Sequence, residues 1–219
     1  TMLVLLSSAY FAPIEYYCHL YAADAVIEER HEHYLKQTYR NRCLIATPTG
    51  PLPLTVPVER SGASHTPIGE VRLSDHGGWK RLHWQAIASA YESSPFFEYY
   101  EDDLRGAFFG KYEFLVDFNA ALRDVCCELL GLHTPVTPST HYIYAASEYP
   151  EALDLRTAIS PKKSAAAESG FMARPYYQVF QERTGFLPNL SILDLLCNLG
   201  PEARLVLRDG LQAQASSDN

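Results

Sequence analysis

The segment His31-Glu32-His33-Tyr34-Leu35-Lys36-Gln37-Thr38-Tyr39-Arg40-Asn41-Arg42-Cys43 carries the densest chemistry in the chain. Three cations, a Gln, an Asn, a Thr and a Tyr fall between Lys36 and Arg42, with almost no apolar content. Guanidinium forks and a lysine ammonium suit phosphate and carboxylate groups. The plain alternative is a solvated loop with surface ion pairs, which are individually weak. His31 and His33 form H-x-H, and on a strand both would face one side, within reach of Glu29 or Asp24 as further metal ligands. Two imidazoles without an assured third ligand do not define a metal centre, so no metal is expected.

His83 lies on the apolar stripe of a helix, between Trp79 and Ile87. Its plain role is a buried, hydrogen-bonded core residue. Its functional role is a general acid or base, because imidazole titrates near neutral pH. Cys43 with His83 would make a thiol–imidazole nucleophile, against the alternative of an inert buried thiol at a strand start. The run Glu98-Tyr99-Tyr100-Glu101-Asp102-Asp103 reads as the solvent face of a helix start, where carboxylates complement the dipole. Gly185-Phe186-Leu187-Pro188-Asn189-Leu190-Ser191 reads as a turn and a cap, with Asp194 as a capping-box-like partner of Ser191. Phosphate-binding glycine loops, a nucleophile elbow and H-E-x-x-H are all absent from the sequence.

Elements that must position these residues follow from pattern. Leu3 to Ser7 is a short apolar run and reads as a central strand rather than a signal peptide, since no basic region precedes it. A helix is expected over Glu15 to Ala23 and a strand over Ala25 to Glu28. A strand pair, Cys43 to Ala46 with Leu52 to Val58, turns at Thr49-Gly50. Its prolines confine it to an edge or a distorted hairpin. Ile68 to Leu73 reads as another strand. Trp79, Leu82, His83, Ala86, Ile87 and Tyr91 share one helix face. Ser94-Pro95 would cap the next helix, from Phe97 to Phe108. Phe114 to Leu129 forms the clearest stripe, closed by Gly131. His141 to Ala145 reads as a strand, Arg156 to Gly170 as a mobile loop, and Ser191 opens a last short helix ending at Gly200-Pro201. The expected fold is α/β or α+β, a single domain over 1–208 with a helical middle segment packed on a mixed β-sheet, then a flexible tail at 209–219.

The chain has 219 residues and a formal charge of −8, so the cationic segment is an island in an acidic protein. That balance argues against nucleic-acid binding. No apolar run suits a membrane span. Five cysteines without C-x-x-C point to reduced thiols and a cytoplasmic location.

Three blocks of residues resemble the WbqC-like family of bacterial proteins, some of whose members lie in O-antigen gene clusters. The first is Ser8-Ala9-Tyr10-Phe11-Ala12-Pro13 with Lys36-Gln37-Thr38-Tyr39-Arg40-Asn41-Arg42-Cys43. The second runs from His83-Trp84 through Ser94-Pro95-Phe96-Phe97-Glu98-Tyr99-Tyr100 to Tyr112-Glu113-Phe114-Leu115-Val116-Asp117-Phe118-Asn119. The third joins Tyr177-Gln178-Val179-Phe180 to Gly185-Phe186-Leu187-Pro188-Asn189-Leu190-Ser191-Ile192-Leu193-Asp194 and Gly200-Pro201. The stretch from His133 to Met172 matches no family pattern. The resemblance implies a role in surface polysaccharide biosynthesis, with glycyl or other aminoacyl transfer to an amino sugar as the suggested chemistry. It adds functional weight to Lys36, Gln37, Tyr39, Arg40, Asn41, Arg42, His83, Asn189 and Asp194.

The resulting expectation is an acyl- or aminoacyltransferase acting on a nucleotide-linked amino sugar. His83 would be the base, Lys36 or Asn41 would stabilise the oxyanion, and Arg40 and Arg42 would hold the diphosphate. Tyr10 and Tyr39 would stack on a sugar or base, with Gln37, Asn189 and Asp194 as further contacts. No cofactor is expected beyond an acyl or aminoacyl donor, and the partner is a small molecule. A non-catalytic module binding a glycan precursor or a protein is the alternative, and a thiol enzyme using Cys43 and His83 is a second. The sequence carries no signal for oligomeric state.

Overall fold

Leu3–Ser7 forms β1, and its Val4, Leu5 and Leu6 are almost completely buried. A strand covered on both faces needs no polar alternation, which explains the continuous apolar run. Burying each such side chain contributes about 1.5–3 kcal/mol. This is a computed structural model, and it describes residues 1–59, 65–162 and 169–212.

After β1 the chain enters α1 (Ile14–Ala22) and returns as β2 (Ala25–Glu29), parallel to β1 with Leu3 opposite Ala25 and Ser7 opposite Glu29. β3 (Arg42–Thr47) and β4 (Gly50–Thr55) form a separate antiparallel hairpin. Three helices follow: α2 (Trp79–Tyr91), α3 (Phe97–Phe108) and α4 (Leu115–Leu130). Then come β5 (Val136–Pro138), α5 (Ala145–Glu148) and β6 (Leu153–Asp154). Short helices α6 (Gln181–Thr184), α7 (Ile192–Leu199) and α8 (Ala203–Asp209) complete the described chain.

The main sheet has the order β5-β2-β1-β6 and is parallel throughout. The fold is therefore α/β, with antiparallel pairing in the hairpin and in isolated bridges outside the main sheet. From β1 the chain adds β2 and β5 on one side and then returns to place β6 on the other. Strand order thus reverses between β1 and β6. In open parallel sheets, the crevice beyond the carboxyl ends of the strands at such a reversal is the usual ligand site.

The third sequence block is threaded between the first block and the hairpin. Ile14 N donates to Leu190 O, Ser191 N to Leu44 O and Ile192 N to Ala12 O. An aromatic core of Tyr10, Phe11, Trp79, Phe108 and Phe118 joins α2, α3 and α4 to the segment after β1.

Some local expectations are corrected. Ile68–Glu70 is a single 3-10 turn with isolated bridges beyond it, because Gly69 lies against the Arg30 carbonyl and not against a continuous strand. Leu82 is 52 % exposed, and Trp84 takes the buried position instead. Ser94 does not cap α3; its hydroxyl donates back to Tyr91 O. The strand expected at His141 to Ala145 lies earlier, at Val136–Pro138, where Pro135 and Ser139 complete the pairing with β2. Arg156, expected in a mobile loop, is 7 % exposed. Residues 163–168 of that expected loop and 213–219 of the expected tail lie outside the described residues. Gly210, within the tail, accepts a hydrogen bond from Met172 N. Among the described residues, no helix is long and apolar enough to cross a membrane.

Candidate functional site

At the reversal between β1 and β6 lies a small, partly open cleft with a cavity volume of about 10 Å³. Ser7, Ser8 and Ala9 enter it from the end of β1, Leu155 and Arg156 from the end of β6, and Tyr16 from α1. Tyr39 and Arg40 enter from the segment between β2 and β3. Arg40 and Arg156 are both buried, and they meet here because the Arg40 Nη2 donates to Arg156 O (3.1 Å) and to Ser7 Oγ (2.9 Å).

Each guanidinium is fixed by carboxylates. Arg40 Nε donates to Glu32 (2.8 Å). Arg156 grips Asp154 through Nε and Nη2 (2.9 and 2.8 Å), and its Nη1 donates to Glu29 (2.7 Å) and Ile143 O (2.8 Å). Burial raises the Glu29 pKa. Hydrogen bonds from Ser139, Ile143 and His31, with the charge of Arg156, outweigh burial and hold the carboxyl below its ordinary value. Asp154 is held low in the same way by Arg156. Asn119 on α4 sets the remaining geometry, donating to Ser8 Oγ (2.9 Å) and Arg40 O (2.8 Å). A guanidinium has five N–H donors. Arg40 uses Nε and Nη2, which leaves Nη1 without a partner among the described residues.

Buried ion pairs add little net stability compared with apolar packing.

Tyr39 and Arg40 are the sequence-expected residues that the structure brings to this cleft. Lys36 and Gln37 stand exposed on the same segment, Gln37 with a φ of 58°. Asn41 is buried, and its amide donates to Val56 O (3.0 Å), tying the segment to the hairpin. Arg42 lies on β3 and donates to Thr55 Oγ1 (3.3 Å).

Tyr10 and His83 are core residues. The Tyr10 hydroxyl lies 2.9 Å from His83 Nδ1, and the Thr55 backbone bonds the same ring. Burial lowers His83 to about 4, so the ring is neutral at pH 7. Cys43 is also buried, and burial pushes its thiol far above the ordinary range. That environment keeps it protonated, whereas a nucleophile needs the thiolate.

Asn189 lies at a second cavity, with Ile14, Phe171 and Tyr176. Its φ is 54°, a left-handed conformation that Asn tolerates. Its Oδ1 accepts from Glu15 N (3.0 Å), capping α1 from a distant part of the chain. Asp194 is fully buried. It does not complete a capping box with Ser191, whose hydroxyl accepts from Leu193 N alone. Its carboxylate instead accepts from the Tyr176 hydroxyl (2.5 Å) and the Gln178 amide (2.9 Å). Burial raises its pKa against those hydrogen bonds. His33 packs against the His65 ring at 5.0 Å. Among the described residues, no group of three or more His, Cys, Asp or Glu is placed to hold a metal.

Ser7, Tyr16, Asp154 and Arg156 are not singled out by the sequence as site residues; Ser8 stands only within a family block and Glu29 only as a metal-ligand candidate. The Ser-Ser pair at the end of an apolar strand was a usable signal, because it marks a carboxyl end. Arg156 had none, since its partner Glu29 is 127 positions away.

The model of the WbqC-like protein family matches residues 8–206. An uncharacterised protein of Mycobacterium tuberculosis, Rv1507c, is 32 % identical over 199 residues, covering 80 % of this chain and 84 % of that protein. No solved structure matches.

Proposed function

The chain belongs to the WbqC-like protein family, and from that premise we propose that it binds a phosphorylated small molecule at the β1–β6 cleft and transfers an acyl or aminoacyl group to it. The carrying observation is the meeting of Arg40 and Arg156 at the strand reversal, with Arg40 Nη1 still available as a donor. The substrate is a nucleotide-linked amino sugar, its diphosphate facing the free Arg40 Nη1. In the transfer, the sugar amine attacks the acyl carbonyl, a C–N bond forms, the bond from the carbonyl carbon to the donor's leaving group breaks, and the amine's proton passes to that departing group. Tyr39 lies against the substrate, and Lys36 and Gln37 make outer contacts from the exposed segment. His83, Tyr10, Asn41, Asn189 and Asp194 act as positioning residues, holding the hairpin, α1 and α7 around the cleft. Five free cysteines support a reducing, cytoplasmic setting. The polysaccharide context rests on the family resemblance.

One observation favours the non-catalytic reading. The cleft lining includes neither His nor Lys among the described residues, the side chains that most often serve as the base in such a transfer. A transfer assay separates the two. The protein is incubated with nucleotide amino sugars and activated amino acids, and acceptor mass is followed alongside thermal melting. Transfer predicts an amide mass increase that Arg40→Gln reduces at least tenfold. A melting shift without mass change supports the binding module. No shift with any phosphorylated ligand overturns both.

A further inference from the structure

Beside the cleft, the loop from Ser139 to Tyr144 is fastened by the same ion network. Ser139 Oγ donates to Glu29 (2.6 Å), Ile143 N donates to Glu29 (2.8 Å), and Ile143 O accepts from Arg156 (2.8 Å). Ile143 is 2 % exposed, yet its neighbours Tyr142 and Tyr144 are 41 % and 67 % exposed. Tyr144 N is held by Glu148 (2.7 Å). The two rings form an edge-on pair with centroids 4.9 Å apart. The Arg156 guanidinium lies 5.2 Å from the Tyr142 centroid. Two large rings are thus displayed to solvent on a backbone that buried bonds hold rigid, and one of them touches an arginine of the cleft. Rigid exposed aromatics are costly to leave in water and well suited to stacking, because little is lost in ordering them.

We propose that Tyr142 and Tyr144 form a stacking subsite for the nucleobase of the ligand whose phosphates occupy the cleft. The inference rests on the reading of that cleft as a phosphate site. The occupant is a planar heterocycle because Arg156, which lines the cleft, also lies over the Tyr142 ring, so base and phosphates belong to one nucleotide. Arg156 couples the two parts, since it reaches the cleft, the Ile143 carbonyl and the Tyr142 ring together.

The test compares inorganic pyrophosphate, nucleoside diphosphates and a sugar phosphate without a base by calorimetry on the full chain. The proteins are wild type, Tyr142→Ala/Tyr144→Ala and Tyr142→Phe/Tyr144→Phe. Stacking on an aromatic ring predicts roughly 5- to 100-fold weaker nucleoside diphosphate binding in the alanine protein. Pyrophosphate binding stays within twofold, and the phenylalanine protein binds as wild type does. Melting temperature and circular dichroism establish that the variants fold. If wild type binds pyrophosphate and nucleoside diphosphates equally, the subsite is wrong while the phosphate site stands. Loss confined to the sugar phosphate, or equal loss for pyrophosphate and nucleotide, also overturns it. If no phosphorylated ligand binds wild type, the cleft reading itself fails.

Discussion

Replacing Arg156 with Met tests whether the network at the sheet ends behaves as a buried charge assembly. Arg156 makes four hydrogen bonds, two to Asp154, one to Glu29 and one to Ile143 O. The Asp154 side chain is 39 % exposed, so that half contributes no more than about 1 kcal/mol. Glu29 is 1 % exposed, and removing its cation leaves a buried charge, a loss of about 3–5 kcal/mol in comparable cases. Glu29 keeps donors from Ser139, Ile143 and His31, which places the expected cost near the lower end, about 3 kcal/mol. For a chain of this size that corresponds to a melting decrease of roughly 6–12 °C. Glu29→Gln removes the charge, so the double variant should be more stable than the sum of the single losses by about 1–2 kcal/mol. The pH sign follows from Glu29. Its folded pKa lies below the ordinary value, so its stabilisation is present above the unfolded pKa and is lost as pH falls through the folded one. In Arg156→Met the folded pKa moves up toward the unfolded one, so that acid loss should be smaller and end at higher pH. The assay is urea unfolding of the four proteins of the cycle at pH 7, and of wild type and Arg156→Met down to pH 4. An Arg156→Met cost under about 0.5 kcal/mol, or additive singles, would refute the reasoning.

Three further outcomes are expected. His83 is lowered by burial to about 4, so the unfolded chain takes up a proton first as pH falls from about 6.5, and stability drops until about pH 4. His19 is lowered in the same way, so His83→Leu should reduce the acid slope of urea-derived stability by up to about 1.4 kcal/mol per pH unit without abolishing it. Asn189→Ala loses both the α1 cap and a residue tolerant of positive φ, for about 1–2 kcal/mol, whereas Asn189→Gly keeps the backbone and loses less; chemical denaturation ranks the pair. Gly200 has a φ of 56°, and a Cβ there would meet the Phe96 ring at 2.5 Å. Gly200→Ala should therefore cost more than about 1 kcal/mol, read as a lower melting temperature.

Periodicity located most helices because it depends on neighbours within a few residues. The stripe of α4 and its Gly131 cap are examples, with Gly131 at a φ of 69°. The cationic segment was visible as composition, but composition does not say which of its side chains turn inward. Tyr39 and Arg40 line the cleft, while Lys36 stays in solvent and Asn41 secures the hairpin. Asn189 and Asp194 belong to polar wording that the structure explains through a cap on α1 and a buried tyrosine–glutamine cluster.

By itself the sequence determined the alternation of apolar strand and amphipathic helix, the family, and the presence of a compact cationic segment. These are written in short-range spacing and residue type. Only the tertiary structure decided that Arg40 faces Arg156, because their meeting depends on β6 pairing beside β1 after the chain has gone out to β5 and back. Arg40 and Arg156 are 116 positions apart, and no local pattern encodes such a closure.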